Sequence, residues 1–484
     1  MLSFAFAIDS DDESDSFVSA TPSTVTSSDA VLPAPIACAA THRQFNTQQT
    51  PALDMTKPKA LMLASISEVR NGIAPQNSAM AKWDHFIIAP HTLNTLLRNP
   101  LCHSLWEQFK RFAKNKSVTL QVHSLTVDEV NALKDLPYRF DLNLRSCGIV
   151  LATRLNQLQH INKLIISWSP IRHFDVVNFT HLESFAVKSC SALRELNIRL
   201  SPSLQELVIG DCERLQSIKG TEHLTNLTTL EVRALSMPQH FQDMAVFANL
   251  NTLKLLRCDT GENLCHIADL LNLRTLEVED SDTLHSLCGI ENLTDLERVT
   301  VMRCKNLVDL GDMSGLNKLH TLLVQSCNGL SNLTLEDVQG LKHLKIFVCQ
   351  NLVGLTIRNL PSLQKLEIPA CVRMHGVILE HLPNLTKLMA TSFRFVEDLS
   401  QFSGLLGLEH LEICVFDNLM SLHGIEALQK LQSVIVLFCN ALENITPLLQ
   451  LPRLVEAKID NCVLVPQAQI DALKTHLEER QQAE

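Results

Sequence analysis

The sequence predicts an α/β solenoid of about sixteen stacked coils, and three observations lead there. A leucine-centred phrase recurs at a fixed period, its core alternates apolar and polar residues, and cysteine closes it repeatedly. One unit carries Leu204, Leu207, Ile209 and Cys212, another Leu296, Val299, Val301 and Cys304, a third Leu319, Leu322, Val324 and Cys327. The first apolar residue falls at Ile161, Leu182, Leu204, Leu227, Leu250, Leu273, Leu296, Leu319, Leu341, Leu363, Leu385, Leu408, Leu431 and Leu454. These steps of about 22 residues fall within the range of solenoid repeats. The same frame stepped backward finds Leu142, Leu144 and Cys147, then Leu120, Val122 and Leu125. Units of this size bury their apolar edge only by stacking on neighbours.

Each phrase core has period two, as in Leu253-Lys254-Leu255 and Leu411-Glu412-Ile413. That spacing predicts a short strand showing alternate side chains to opposite faces. Strands from successive coils would lie parallel, about 4.8 Å apart, along one side. The opposite side carries runs such as Leu284, Leu287, Ile290 and Leu293, too short for a long helix and read as turns or one helical turn.

The form LxxLxLxx(N/C)xxL over residues 117–464 resembles the leucine-rich repeat superfamily, with cysteine in the place of the commoner asparagine. Cysteine-type repeats occur in ubiquitin-ligase adaptors, plant immune receptors, some kinetoplastid proteins and bacterial effectors. The resemblance implies a leucine-rich repeat horseshoe with a parallel sheet on its concave face, helical N- and C-terminal caps, and a protein-protein interaction scaffold without catalysis.

Ten of the 15 cysteines hold the ladder position: Cys147, Cys190, Cys212, Cys258, Cys304, Cys327, Cys349, Cys371, Cys439 and Cys462. Leu125, Ser169, Leu235, Ser281, Phe393 and Phe416 take it in the other units. A thiol is a small hydrophobe with a weak donor, so it fills the turn and still meets a carbonyl. The cysteines form a line and contain no CxxC pair, so neither a zinc site nor any other metal is expected. So many unpaired thiols point to a reducing, cytoplasmic compartment. The sequons at Asn226, Asn292 and Asn384 are then read as products of the repeated loop rather than glycosylation sites.

A net charge of −11 and a pI near 5.9 argue against a partner bound through phosphates, so no nucleic acid is expected. The start of the chain lacks a basic region and meets an acidic run at Asp9 to Asp15, unlike a secretory signal, and no long apolar run suggests a membrane span. Residues 1–78 are rich in Ser, Thr, Asp, Ala and Pro and read as a disordered tail. Its composition is similar to that of the N-termini of effectors injected into host cells, which would place the protein in a host cytosol.

Residues 79–116 carry Trp83, Phe86, Ile87, Ile88, Leu93, Leu96, Leu97, Leu101, Leu105, Trp106, Phe109 and Phe112, spacing that predicts two amphipathic helices broken near Pro100. They read as a cap on the first coil. The alternative is a docking pair over residues 79–114, since Pro90, Leu93, Leu96, Leu97 and Trp106 resemble part of the F-box of ubiquitin-ligase substrate adaptors. Residues 465–484 read as a closing helix with Pro466 in its first turn and Ile470, Leu473 and Leu477 on its inner stripe.

Function is expected where the strands show side chains to solvent. Most outward positions are polar, yet Met302, Leu323, Phe347, Met389, Ile435 and Leu437 are not. Clustered exposed apolar residues ringed by charge mark a protein-binding patch. His343, Lys345, Lys365, Lys387 and His410 form a basic strip beside it, while Glu206, Glu231, Glu277 and Glu279 make earlier coils acidic. No phosphate-binding loop, HExxH or GxSxG motif is present, and Cys265, Cys288 and Cys414 show no positioned base, so no catalytic residue and no cofactor is assigned.

Overall fold

Eighteen strands form one continuous sheet in the computed structural model, which describes residues 60–63, 65, 67–69, 85–122, 127–134, 136, 138–146, 154–177, 179–199, 201–241 and 243–481. The strands run parallel and in register, each coil laying its strand beside the last: Leu207 pairs with Leu230, Leu230 with Leu253, and Leu253 with Leu276. Their inward residues, the second and fourth of each phrase, are fully buried throughout the central coils. Sixteen strands from Ser117–Val122 to Glu456–Asp460 sit on the expected phrases. The chain is a parallel-sheet solenoid built on the leucine-centred repeat.

The ladder turn follows one plan. The residue just before each ladder position is left-handed, at φ 54° for Asp211, 56° for Arg257, 54° for Arg303 and 58° for Val348. Its N–H donates to the strand-end carbonyl of the next coil, as from Asp211 to Arg233 at 3.3 Å and from Arg257 to Glu279 at 2.7 Å. The ladder sulfur then donates back to the carbonyl two residues earlier, 3.3 Å from Cys212 to Gly210 and 3.5 Å from Cys304 to Met302. Cys258 also reaches the Val232 carbonyl of the preceding coil at 3.2 Å. Ser169 makes the equivalent bond to the Ser167 carbonyl at 3.1 Å, Ser281 donates instead to the Cys258 carbonyl of the preceding coil at 2.7 Å, and Phe393 and Phe416 fill their positions by stacking, centroids 5.0 Å apart. Cys147 and Leu125 lie outside the described residues.

Left-handed backbone suits asparagine and glycine far better than a β-branched side chain. Val348 and Val415 both adopt it at φ 58°. Val348→Asn should therefore raise stability by about 1 kcal/mol, read as a higher urea midpoint at unchanged slope; an unchanged or lower midpoint would count against strain at this turn.

The far side of the coil depends on unit length. The shorter units, those beginning at Ile161, Leu182, Leu319, Leu341 and Leu363, carry a second, extended strand. His173–Val176 and Glu195–Ile198 lie in one three-stranded sheet, and Asn332–Glu336, Gly354–Arg358 and Gly376–Glu380 form another. The longer units carry short 3-10 helices or turns there, such as Cys265–Ile267, Ser400–Phe402 and Ile425–Ala427; the unit starting at Leu204 holds both, Ser217–Lys219 and then Thr221–His223. An extended residue advances about 3.3 Å and a 3-10 residue about 2.0 Å. A shorter coil must stretch its back to enclose the same core. These back strands replace the turns expected of every unit, and Arg358 ties three of them together through Glu336 and Glu380.

The segment before the repeats also departs from expectation. His85–Ile88 is a strand, not part of a helix, and pairs with Ser117–Leu120 and with Ala60–Leu63. Phe86 and Ile88 alternate inward with His85 and Ile87 half-exposed, the burial pattern of a sheet strand rather than of a helix stripe. The two helices, Pro90–Arg98 and His103–Phe112, form the back of this added coil and bury Leu93, Leu96, Leu105, Trp106 and Phe109 against it. The remainder of the tail expected over residues 1–78 lies outside the described residues, apart from residues 60–63, 65 and 67–69.

At the other end, the helix Gln467–Gln481 packs Leu473, Ile470 and Leu477 on the core, and Gln469 accepts from the Ile445 N–H at 2.8 Å. The strand Glu456–Asp460, which pairs on one side only among the described residues, shows Glu456, Lys458 and Asp460 outward, charges that discourage further pairing.

Candidate functional site

Strand register decides which outward residues meet. Along the first outward row, Arg298, Thr321, His343, Lys365, Lys387 and His410 are direct neighbours on six successive strands. Along the middle row, Thr300, Leu323, Lys345, Glu367, Met389, Glu412 and Ile435 follow one another.

Met302, Leu323 and Phe347 lie on three successive strands at diagonal positions, within reach of long side chains. The Lys345 ammonium sits 4.9 Å from the centre of the Phe347 ring, a cation–π contact that holds the ring's face. Met389 does not join this cluster, because the strand Lys365–Ile368 lies between and places Glu367 beside it. Ile435 and Leu437 are two strands further on, past Glu412 and Cys414, and continue to the exposed Phe438. The single patch expected from the sequence is thus a trio and a separate pair with Met389 between.

The basic strip is likewise divided. Glu367 takes Lys365 at 2.5 Å and Lys345 at 3.6 Å. Burial pulls its carboxyl upward, and the two ammonium groups more than offset this, holding it below its ordinary value. His343, Lys387 and His410 are exposed and have no ion pair among the described residues. On the entry side of these strands an open cleft of about 420 Å³ is lined by Lys342, Ser362, Gln364, Asn384 and Thr386. Asn384 Nδ2 there donates to the Pro361 carbonyl at 2.7 Å, as Asn226 does to Pro202 at 2.8 Å. These asparagines recur because they clasp the preceding coil.

The earlier acidic coils are neutralised. Glu206 meets Lys163 at 3.6 Å, Glu231 meets Arg233 at 2.6 Å, Glu277 meets Lys254 at 3.2 Å, and Glu279 pairs with Arg303. Among the off-ladder thiols, Cys265 Sγ faces the Cys288 carbonyl, and the buried His266 Nε2 has no partner, so the two adjacent side chains form no hydrogen-bonded dyad.

Two features were not singled out from the sequence. Trp168 takes the left-handed position at φ 54° with its side chain 60% exposed, where other coils mostly place small or polar residues. An aromatic residue directly before the ladder was the available signal. His85 Nε2 lies 2.7 Å from Thr119 Oγ1, which donates to Asp141 at 3.3 Å, a polar chain across three strands. Burial pushes the Asp141 carboxyl up, against the pull of His85 and Lys163. Nothing in the repeat frame pointed to His85, which precedes it.

The F-box-like residues are spent on the chain's own core: Leu93, Leu96 and Trp106 are buried and Leu97 packs against them. Among the described residues no helix is long and apolar enough to cross a membrane.

No protein-family model and no curated protein matches the chain. Solved structures do. Toll of Drosophila, in its complex with Spatzle, is 12% identical over 71% of this chain, with a TM-score of 0.44; the chain spans about half of that one, 49%. A leucine-rich-repeat protein of Leptospira interrogans is 15% identical, covering 86% of this chain and 98% of its own, with a TM-score of 0.43. An internalin of Listeria monocytogenes whose functional domain includes a cysteine ladder is 15% identical over 69% of this chain and 70% of its own, with a TM-score of 0.36. Likeness at this level adds nothing to what the strand register establishes.

Proposed function

We propose that the chain is a non-catalytic scaffold that binds a protein partner on the open face of its main sheet. The observation that carries this reading is the trio Met302, Leu323 and Phe347: half-exposed apolar side chains on three successive strands, where the neighbouring rows are polar and charged. Leaving such a cluster in water is unfavourable by roughly 25 cal/mol for each Å² that a partner would cover. His343, Lys387 and His410 supply unpaired polar groups beside it, which orient a partner and speed its encounter more than they tighten it.

The test is Leu323→Asp with Phe347→Asp. The far-UV dichroism and melting curve should stay close to those of the parent, and a partner cross-linked to the parent's sheet face in cells should no longer be recovered. Ile378→Asp, an exposed residue on a back strand, should leave recovery intact. Unfolding of the double variant would make the trio part of the core, and undiminished recovery would move the partner to another surface.

A further inference from the structure

The ladder sulfurs are chemically equivalent along the array but not equally reachable. Cys190, Cys212, Cys304, Cys327, Cys349, Cys371 and Cys439 are fully buried, each covered by the coils on both sides. Cys462 is half-exposed, because among the described residues no further coil stacks on the strand Glu456–Asp460. Val463 and Leu464 beside it are exposed as well. Among the described residues, Cys462 is therefore an opening onto a line of ladder thiols that are otherwise buried.

Its geometry suits reaction with the rung beneath. Leu437 and Asp460 are direct partners across the last two strands, and Cys439 and Cys462 each follow two residues later. Coils about 4.8 Å apart place such a pair inside the Cα separation of roughly 4.4–6.8 Å that a disulfide spans. Cys462 Sγ is turned toward the preceding coil, 3.9 Å from the Val436 carbonyl, and Cys439 Sγ lies 3.5 Å from that of Leu437. Among the described residues, the other accessible pair on neighbouring coils is arranged differently: Cys265 Sγ faces the Cys288 carbonyl at 4.0 Å, and Cys288 Sγ accepts from Ser286 Oγ at 3.0 Å. Cys414, half-exposed on the sheet face, has Thr391 and Leu437 as direct neighbours and no thiol opposite.

We propose that Cys462 and Cys439 form a thiol–disulfide exchange site that accepts a low-molecular-weight disulfide of the glutathione class and stores its oxidation as a Cys439–Cys462 bond. In the first step the Cys462 thiolate attacks one sulfur of oxidised glutathione; a mixed disulfide forms, the glutathione S–S bond breaks, and one glutathione thiolate leaves and is protonated from solvent. In the second, Cys439 gives up its proton and attacks Cys462 Sγ, expelling the second glutathione, which carries that proton away. Two protein thiols are oxidised and one glutathione disulfide is reduced to two thiols. Excess reduced glutathione runs the sequence backward.

The division of labour follows from the surroundings. The nearby Cys439 thiol holds the Cys462 thiol below its ordinary value, which favours Cys462 as the attacking sulfur. The same pairing, together with burial, pushes Cys439 up, as befits a resolving thiol that reacts only after its neighbour is modified. The bond would clip the last coil to its predecessor and fix the end of the array from which the closing helix departs.

The experiment exposes the full chain to graded mixtures of oxidised and reduced glutathione at pH 7, quenches with an alkylating reagent under denaturing conditions, and maps the peptides by mass spectrometry. The expected product is a linked peptide containing Cys439 and Cys462, with Cys190, Cys212, Cys304 and Cys327 recovered as alkylated thiols. Cys439→Ser should trap glutathione on Cys462, and Cys462→Ser should leave Cys439 unmodified. The proposal fails if the parent protein keeps both thiols free at oxidising ratios, links either one to another cysteine, or stops at a glutathione adduct on Cys462. Because the mapping of the parent decides this alone, a variant that misfolds does not rescue it.

Discussion

Gly289→Ala should break the solenoid into two independently melting halves. Gly289 sits at φ +112°, and a Cβ there would lie 2.4 Å from the carbonyl carbon of Leu264 and 2.5 Å from the amide nitrogen of Cys265. Both are backbone atoms of the preceding coil, so neither can swing aside as a side-chain tip would. The backbone conformation costs a non-glycine residue about 1–2 kcal/mol, and forcing the coils apart adds about 1–3 kcal/mol. A repeat array is held together by nearest-neighbour interfaces, so a defect at one seam uncouples everything before it from everything after. Calorimetry should show two transitions where the parent shows a more cooperative one. Gly376→Ala is the matched control: nothing lies within 4 Å of its added Cβ, and replacing a strand glycine should stabilise by about 0.5 kcal/mol. A single unshifted transition for Gly289→Ala would contradict the close approach.

Phe416→Ala is expected to cost about 4 kcal/mol. Phe416 occupies the ladder position, is fully buried and stacks on Phe393 at 16° between ring planes. Truncation removes its apolar burial, leaves a cavity inside the turn and strips Phe393 of its partner. The stack itself should appear as a coupling of about 1 kcal/mol in a double-mutant cycle with Phe393→Ala. Chemical denaturation of the four proteins measures both quantities. A cost below about 1 kcal/mol for the single variant would mean that the ring is not packed as described.

Much of the architecture could be read from the chain because period-two strands reveal themselves residue by residue. Leu230, Val232 and their equivalents alternate with polar neighbours, and no tertiary information is needed to say which side is buried. The backs of the coils were equally present in the sequence, in the uneven steps between frame residues, shorter after Ile161, Leu182, Leu319, Leu341 and Leu363 than after the others. Turning a small difference in step into a 3-10 turn or a strand required knowing that all coils enclose the same cross-section. His85–Ile88 was misread for a different reason: Phe86, Ile87 and Ile88 are apolar in a row, and short apolar runs do not separate strand from helix by periodicity.

The site was legible only in part. Each of Met302, Leu323, Phe347, Met389, Ile435 and Leu437 is outward and half-exposed, as the frame requires. Their grouping was not legible, since adjacency across strands depends on what the intervening strand carries, and Glu367 and Glu412 interrupt the row. Trp168 was not legible, because the repeat pattern does not specify the left-handed position it fills.

The repeated phrase by itself determined the coil, its buried leucines and the role of cysteine as a turn-filling thiol, because each of these rests on contacts within one unit or between identical units. Only the tertiary structure decided which thiol is reachable, which lysines are already neutralised and where the apolar surface breaks. Those properties belong to particular neighbours and to the end of the stack, and a pattern that treats every coil alike cannot carry them.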